Sequence, residues 1–453
     1  MLVLVFAIFI SFQPKTSLAI GLLRDAETEW FLRTISTPLF LKAGLQPDAV
    51  NIYIVNDNSL NAFVVGGQNI FIHTGLILQV DNVNQLLAII AHETGHISGG
   101  HNVTRGSDGA SSGSNVMLVT MLLGIAAVAA GSPDAGLGLM MGGQSMAQRA
   151  VFKYTRAQEA STDQAGATLL EKTETSGRGL LETFEMFRDQ ELLSFNRQDP
   201  YARSHPMSRD RVSSLRQRVE RSKYYNKPPN PVYEYWFKRV KAKLGGYLNN
   251  SRLTFSLYPE SDTSLEARYA RVYAYHKDID WTNALREAHE LIKENGKDPY
   301  FQEIVGQIHL ENGNVEEAIP YYRRAVELLP NSALIMTSLA HALVATNTTE
   351  NNNEAIILLE KVVRLEPEND FAWRQLGTAY AQNNLPEEAS FATAEMFALY
   401  GKFPQSNHHA GIALKHYPVG SPKWLRAQDI IMKNKNIMET KEYKNRSRRQ
   451  QRN

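Results

Sequence analysis

His-Glu-Thr-Gly-His at positions 92 to 96 closes the apolar run Leu86-Leu87-Ala88-Ile89-Ile90-Ala91. If that run is a helix, His92 and His96 stand one turn apart on the same face, so two imidazoles can close on one ion while Glu93 flanks it. Zinc suits this donor set. It takes neutral imidazole nitrogen at about 2.0–2.1 Å, and a catalytic site needs three protein ligands, which leaves the fourth position to water. Glu93 would take a proton from that water as it attacks a carbonyl, and later protonate the departing amine. The competing interpretation is a helix surface whose histidines are merely solvated or capping, and the helical context weighs against it.

A third ligand must come from elsewhere in the chain. In the metzincin arrangement a His falls six residues after the second, with a Gly between. Here Gly99 is in place, but the sixth position is Asn102 and His101 is one residue short, which disfavours that class. The other common source is a Glu on a later helix. The stretch from Arg156 to Ala167 offers Glu159 and Asp163, four apart and so on one face, among small residues that allow close helix approach. One carboxylate can bind metal while the other holds a metal-bound imidazole in its tautomer. Glu and Asp at this spacing are otherwise just a solvated face.

These segments, in order, resemble a known family. His-Glu-Thr-Gly-His is followed by His101, then by Glu-Ala-Ser-Thr-Asp-Gln-Ala-Gly from Glu159, then by Ser204-His205-Pro206 with Arg211 six residues after the His. Ahead of them lie a glycine-containing segment from Asn61 to Phe71 and the approach Gly75-Leu76-Ile77. The set is similar to the gluzincin metallopeptidases of the HtpX and CAAX-prenyl-protease type, over about positions 25 to 220. The resemblance implies a zinc endopeptidase with one Zn2+ per subunit, Glu159 as the third ligand, and Asp163 and Arg211 behind the ligands. It also implies that His205, as in the periplasmic BepA-like branch, can take the fourth zinc position and hold the enzyme latent. Swung away, His205 would instead stabilise the tetrahedral oxyanion. Thr162 stands where the family usually carries Ala, but the Glu159 to Asp163 spacing is kept. His101 is typical of the family without being a ligand.

At 453 residues the chain is too long for one ordinary domain, so two folded units are expected. A net charge of +1 gives no argument for nucleic acid or for a strongly acidic substrate. The chain has no cysteine, which excludes disulfides and thiolate zinc sites and is compatible with an oxidising compartment. Leu2 to Phe12 is an apolar run of signal-peptide length, followed by the small-x-small site Ser17-Leu18-Ala19. Residues 1–19 are therefore predicted to be a signal peptide cleaved after Ala19, although no Lys or Arg precedes the run; an uncleaved anchor is the alternative.

Several elements must position the site. Asn61 to His73 is β-rich and broken at Gly66-Gly67. As the edge of a small sheet beside the zinc helix it could pair with an extended polypeptide, which favours unfolded or misfolded protein over a small molecule. Val116 to Ala130 is apolar but is interrupted after about 15 residues, short of the roughly 20 that a spanning helix needs. With the Gly- and Met-rich stretch to Met146 it reads as a helical hairpin over the cleft, a candidate lid, with peripheral membrane contact as the alternative.

Residues 223–231, rich in Pro and Asn, would stop any helix, and Trp236 to Leu248 reads as an amphipathic helix ending at Gly245-Gly246 or soon after. From about Leu265 the chain repeats. Trp373-x-x-Leu376-Gly377-x-x-Tyr380 matches the opening of a tetratricopeptide repeat. Pro299, Pro330 and Pro367 close neighbouring units 31 and 37 residues apart, around the period of about 34, with Thr346 to Asn353 as a turn insertion. Four units are expected, the first degenerate, stacked into a solenoid whose concave face binds segments of other proteins. The residues after Lys433 are polar and basic and read as a disordered tail.

The expected architecture is thus α+β and predominantly α-helical. A signal peptide (1–19) precedes a metallopeptidase domain with a small β-sheet and a linker helix (20–262), an all-α tetratricopeptide solenoid (263–432) and a basic tail (433–453). The layout is similar to BepA-like protease-chaperones of Gram-negative bacteria. That resemblance implies a periplasmic location, partners at the outer-membrane β-barrel assembly machinery, and misfolded or stalled outer-membrane proteins as substrates. The alternative is a non-proteolytic chaperone or adaptor that works through its repeats, with latent peptidase activity.

Overall fold

The computed structural model describes residues 21–101, 154–187, 200–205 and 208–439. The expected signal peptide, the 116–146 hairpin and positions 440–453 of the tail lie outside these residues. Four strands, β1 (Gly21–Leu23), β2 (Asn51–Asn56), β3 (Ala62–Val65) and β4 (Asn69–His73), form one mixed sheet in the order β1-β2-β4-β3. β2 and β4 are parallel, and the outer strands run antiparallel to their neighbours. The β3 to β4 reversal takes positive φ at Gly66 and Gly67, which glycine adopts without the steric cost of a Cβ. Strand alternation gives the sheet two faces. Ile54, Ala62, Val64, Ile70 and Ile72 enter the main core, while Tyr53 and Phe63 stack on Phe71 at 4.9 and 5.0 Å on the other side.

Helices α1 (Ala26–Lys42) and α3 (Val83–Ser98) pack against the inner face, with α2 (Thr74–Gln79) leading from the sheet into α3. Asn82 caps α3, and every residue from Val83 to His96 is buried. A helix apolar on all sides, as Leu86 to Ala91 is, is stable only when surrounded. It is enclosed by α4 (Arg156–Lys172), α5 (Arg178–Phe187) and the sheet. A single turn, α6 (Pro200–Ser204), and then α7 (Arg209–Glu220) complete the shell.

The linker helix α8 (Pro231–Leu248) starts at Asn230, whose side chain caps it, with Pro231 at the first position. It serves both units. Phe237, Val240 and Leu244 belong to the peptidase core, while a Cβ on Gly246 would lie 2.2 Å from the carbonyl oxygen of Ala270 on α10 (Leu265–Lys277). Gly246 therefore marks a close helix crossing, and the helix continues past it. A short helix α9 (Ser251–Leu257) connects α8 to α10. Buried charges fix the joint: Arg239 sits between Glu27 and Asp298 and over the Phe301 ring at 4.2 Å. Lys243 pairs with Asp25 and Glu27, and the Tyr269 hydroxyl donates to Glu27 at 2.6 Å. Removing one member of such a network would leave a buried charge uncompensated, at a cost of about 3–5 kcal/mol.

Among the described residues the solenoid has five helical pairs, one more than the repeat pattern suggests. They are α10 with α11 (Trp281–Glu294), α12 (Pro299–Glu311) with α13 (Val315–Leu328), α14 (Ala333–Ala345) with α15 (Thr349–Leu365), α16 (Asp370–Gln382) with α17 (Pro386–Leu399), and α18 (Phe403–His416) with α19 (Pro422–Glu439). The last described pair lacks the Trp-Leu-Gly-Tyr signature and packs against α17. Helix α19 runs to Glu439, so residues 433–439 are helical and not tail; buried Asn434 on it donates to Ser406 at 2.9 Å. Pro299 opens α12, so it starts a unit and does not close one. The Thr346 to Asn353 insertion is only partly a turn: it lengthens α15 to 17 residues against 14 in α11, α13 and α17. Among the described residues no helix is long and apolar enough to cross a membrane.

Candidate metal centre

Three segments meet at the C-terminal half of α3. Helix α4 can lie close to α3 because the contact is made by small residues: a Cβ on Gly95 would lie 3.0 Å from Thr162 Cγ2, and one on Gly166 would lie 3.3 Å from the His92 nitrogen. This spacing brings Glu159, one turn before Thr162, opposite His92 and His96. A capping box at Thr155 and Gln158 fixes where α4 begins, and so where Glu159 points. His205, just after α6, enters from a third direction.

His92 Nε2 lies 3.2 Å from His96 Nε2. The Glu159 oxygens are 3.5 Å from His92 Nε2 and 3.3 Å from His96 Nε2. His205 Nδ1 lies 3.2 Å from His92 Nε2 and 3.0 Å from Glu159 Oε1. A tetrahedron with ligand bonds of about 2.0–2.1 Å has edges of about 3.3–3.4 Å. One donor atom from each of His92, His96, Glu159 and His205 lies within 4.8 Å of the others, several pairs at the spacing of such a cage, and these are the residues whose donors converge this way among the described residues. All four are buried.

The outer contacts orient the donors. Asp163 Oδ1 is 3.2 Å from His92 Nδ1, so a proton on Nδ1 leaves the Nε2 lone pair facing the cage. Arg211 from α7 grips Asp163 through two bonds of 2.7 and 2.8 Å and reaches Glu159 Oε2 at 2.9 Å. His96 Nδ1 lies 3.1 Å from His101 Nδ1 and 3.4 Å from Thr162 Oγ1, so an inward Nε2 lone pair requires Nδ1–H to donate on that side.

Two known groups of proteins share these segments. Residues 26–219 match peptidase family M48, and residues 269–333 match a tetratricopeptide repeat. The chain carries a peptidase family M48 domain. It is 23% identical to the beta-barrel assembly-enhancing protease of Yersinia pestis over 85% of this chain and 79% of that protein. For the beta-barrel assembly-enhancing protease of Escherichia coli K12 the identity is also 23%, over 88% and 81%. Metalloprotease LoiP of the same organism is 28% identical over 42% of this chain and 69% of its own length. The first two similarities thus extend through the solenoid as well as the M48 domain.

Within the M48 domain, burial and charge set the protonation of the site. Burial lifts the Glu93 carboxyl to about 7, against the pull of His205 and His92, which is where a general base for neutral pH belongs. Both Glu93 oxygens lack a hydrogen bond among the described residues, and the nearest ring nitrogen, His205 Nε2, is 3.5 Å away. Burial disfavours the charged form of Glu159 too, but His205, His92 and His96 outweigh it and hold that carboxyl well below its ordinary value. Burial also opposes the Arg211 charge, which Asp163 and Glu159 more than restore.

The structure brings together every site residue expected from sequence: His92, Glu93, His96, Glu159, Asp163, His205 and Arg211. Sequence reasoning gave no contact to His101, which stands behind His96. Nor did it find Tyr154, stacked on His96 at 3.6 Å, or Tyr201, stacked on His205 at 4.4 Å. The spacing of Tyr201 and His205, four apart on one turn, was an available signal. Tyr154 had none, because its partners lie far away in the chain.

Proposed function

We propose that this protein is a periplasmic zinc endopeptidase that cleaves unfolded or misassembled outer-membrane polypeptides, with its solenoid docking it to the outer-membrane β-barrel assembly machinery. The observation that carries the chemistry is the convergence of three imidazole nitrogens and one carboxylate beside the buried Glu93, whose oxygens make no hydrogen bond among the described residues. A donor set of nitrogen with one oxygen, closed and buried, suits zinc better than calcium or magnesium, which favour more oxygen ligands. A buried carboxylate without a hydrogen bond is costly unless a proton, a water or a cation compensates it, so Glu93 also fits a site built around an ion. His92, His96 and Glu159 would hold the metal, with His205 as the fourth donor in the latent state.

Bound zinc supplies a Lewis acid that lowers the pKa of water and polarises a scissile carbonyl. Glu93 accepts the proton of the attacking water at its carboxylate and passes it to the departing amine. Asp163 keeps the His92 tautomer fixed, and Arg211 neutralises the two carboxylates behind the donors. Strand β3 lies at the sheet edge and packs beside α3. An extended chain pairing with it would run across the donors, which selects for unfolded backbone over particular side chains. The substrate class and compartment draw on the two relatives whose names describe β-barrel assembly, on residues 1–19 as a signal peptide, and on the absence of cysteine.

His205 on the fourth vertex favours a second reading, in which the solenoid works as an assembly adaptor and proteolysis is held in reserve. Glu93→Gln separates the two. It should abolish cleavage of unfolded porin and keep the zinc. If outer-membrane assembly in cells then fails, the peptidase reading stands; if assembly proceeds normally, the adaptor reading replaces it.

A further inference from the structure

We propose that Tyr201 is the positioning residue that holds His205 on the fourth vertex, through an aromatic ladder that ties the latent state to the peptidase core. The inference rests on the reading of His205 as the latent-state donor. Helix α6 is one turn, too short to hold its own shape, and His205 leaves it with its backbone N–H bonded to the Tyr201 carbonyl at 2.8 Å. What fixes the ring is stacking. Tyr201 lies against His205 at 4.4 Å and 27°, and on its other side against Phe187 at 4.7 Å and 26°. Phe187 is fully buried at the end of α5, in the same core as Phe184 and Leu180. The chain of rings thus runs from the hydrophobic core to the cage. The Tyr154 ring, 5.2 Å from His205, lies near it as well.

For His205 to leave the vertex, it must separate from Tyr201, or Tyr201 must leave Phe187. The Tyr201 hydroxyl makes no hydrogen bond to another described residue, so the ring and not the hydroxyl does the holding. An aromatic pair of this geometry is worth enough to change the open fraction roughly two- to ten-fold.

The test uses full-length, zinc-loaded protein and two readouts: cleavage of an unfolded porin, and the rate at which zinc passes to a colorimetric chelator. Tyr201→Phe should match the natural protein in both. Tyr201→Leu should raise both by roughly two- to ten-fold. His205→Ala should raise the rate of zinc release, and adding Tyr201→Leu to it should raise that rate no further; cleavage is not the readout for these two variants, because displaced His205 also serves the oxyanion. That lack of additivity is what a purely structural effect of Tyr201 would not produce. If His205→Ala raises zinc release while Tyr201→Leu leaves it unchanged, or if the two changes add, the proposal is wrong and the reading of His205 survives. If His205→Ala does not raise zinc release, that reading fails and the proposal falls with it. Should Tyr201→Leu not fold, Tyr201→Met fills the same space without a ring and is read by the same criteria.

Discussion

Arg211→Met should lower both the stability of the peptidase domain and its hold on zinc. The guanidinium is almost completely buried and makes bonds of 2.7 and 2.8 Å to Asp163 and 2.9 Å to Glu159. Its loss leaves the buried carboxylates of Asp163 and Glu159 without the cation they share. Removing one partner of a buried ion pair costs about 3–5 kcal/mol, far more than the net worth of the pair, because the remaining charge is stranded. For a domain of this size that corresponds to a fall in Tm of roughly 6–20 °C in the metal-free protein. Bound zinc offsets part of the charge on Glu159, so the fall should be smaller in the loaded protein. Because Asp163 also loses its restraint on the His92 ring, zinc affinity should drop about 10–100-fold. Calorimetry with and without chelator, and competition against a chromophoric chelator, measure the two effects. Adding Asp163→Asn should recover part of the lost stability. A metal-free Tm within about 2 °C of the natural protein, with unchanged zinc affinity, would refute the reasoning.

Other perturbations probe separate parts of the account. Glu93→Gln should reduce cleavage by about 10²–10⁴-fold at unchanged zinc content, read by peptide hydrolysis and metal analysis. Gly95→Val should push α4 away from α3 at Thr162 and weaken zinc binding without touching a donor, checked by the same chelator competition. Gly246→Val should wedge α8 from α10, costing about 1–3 kcal/mol and exposing the 223–264 region to trypsin. Glu303, near the joint, is pushed to about 7 from the ordinary 4.5 by burial and by Asp25, Glu27 and Glu29, against Lys243. The folded state therefore favours its protonated form, and the stability this gives is present below the ordinary carboxyl range and lost as pH rises through 7. Glu303→Gln removes that loss, so its advantage in denaturant unfolding should grow from near zero at acid pH to roughly 1–3 kcal/mol above pH ~8.

The chemistry of this chain was legible where it is local. His92, Glu93 and His96 share one helix, and the face shared by Glu159 and Asp163 follows from helical spacing alone. The choice of Glu159 as the donor and Asp163 as its outer partner needed the resemblance, because spacing treats the two carboxylates alike. What escaped was set by distant partners. Gly246, near the end of α8 as expected, gave no sign of its packing role, which comes from Ala270 on another helix. Tyr154 covers His96 from a segment that no periodicity connects to it, whereas His101, only five residues beyond His96, lay within reach of local reasoning. The fifth helical pair was missed because its sequence carries little of the repeat signature, its helices being placed by contacts with α17 before it. For the same reason residues 433–439, polar in composition, are helical through contacts such as Asn434 with Ser406.

The most direct test of the central claim compares zinc content and porin cleavage in the natural protein and in Glu159→Ala, purified in parallel. The account predicts one tightly held zinc per chain in the first, and in the second a metal-depleted protein that cleaves nothing. Full zinc occupancy and undiminished cleavage in Glu159→Ala would contradict it.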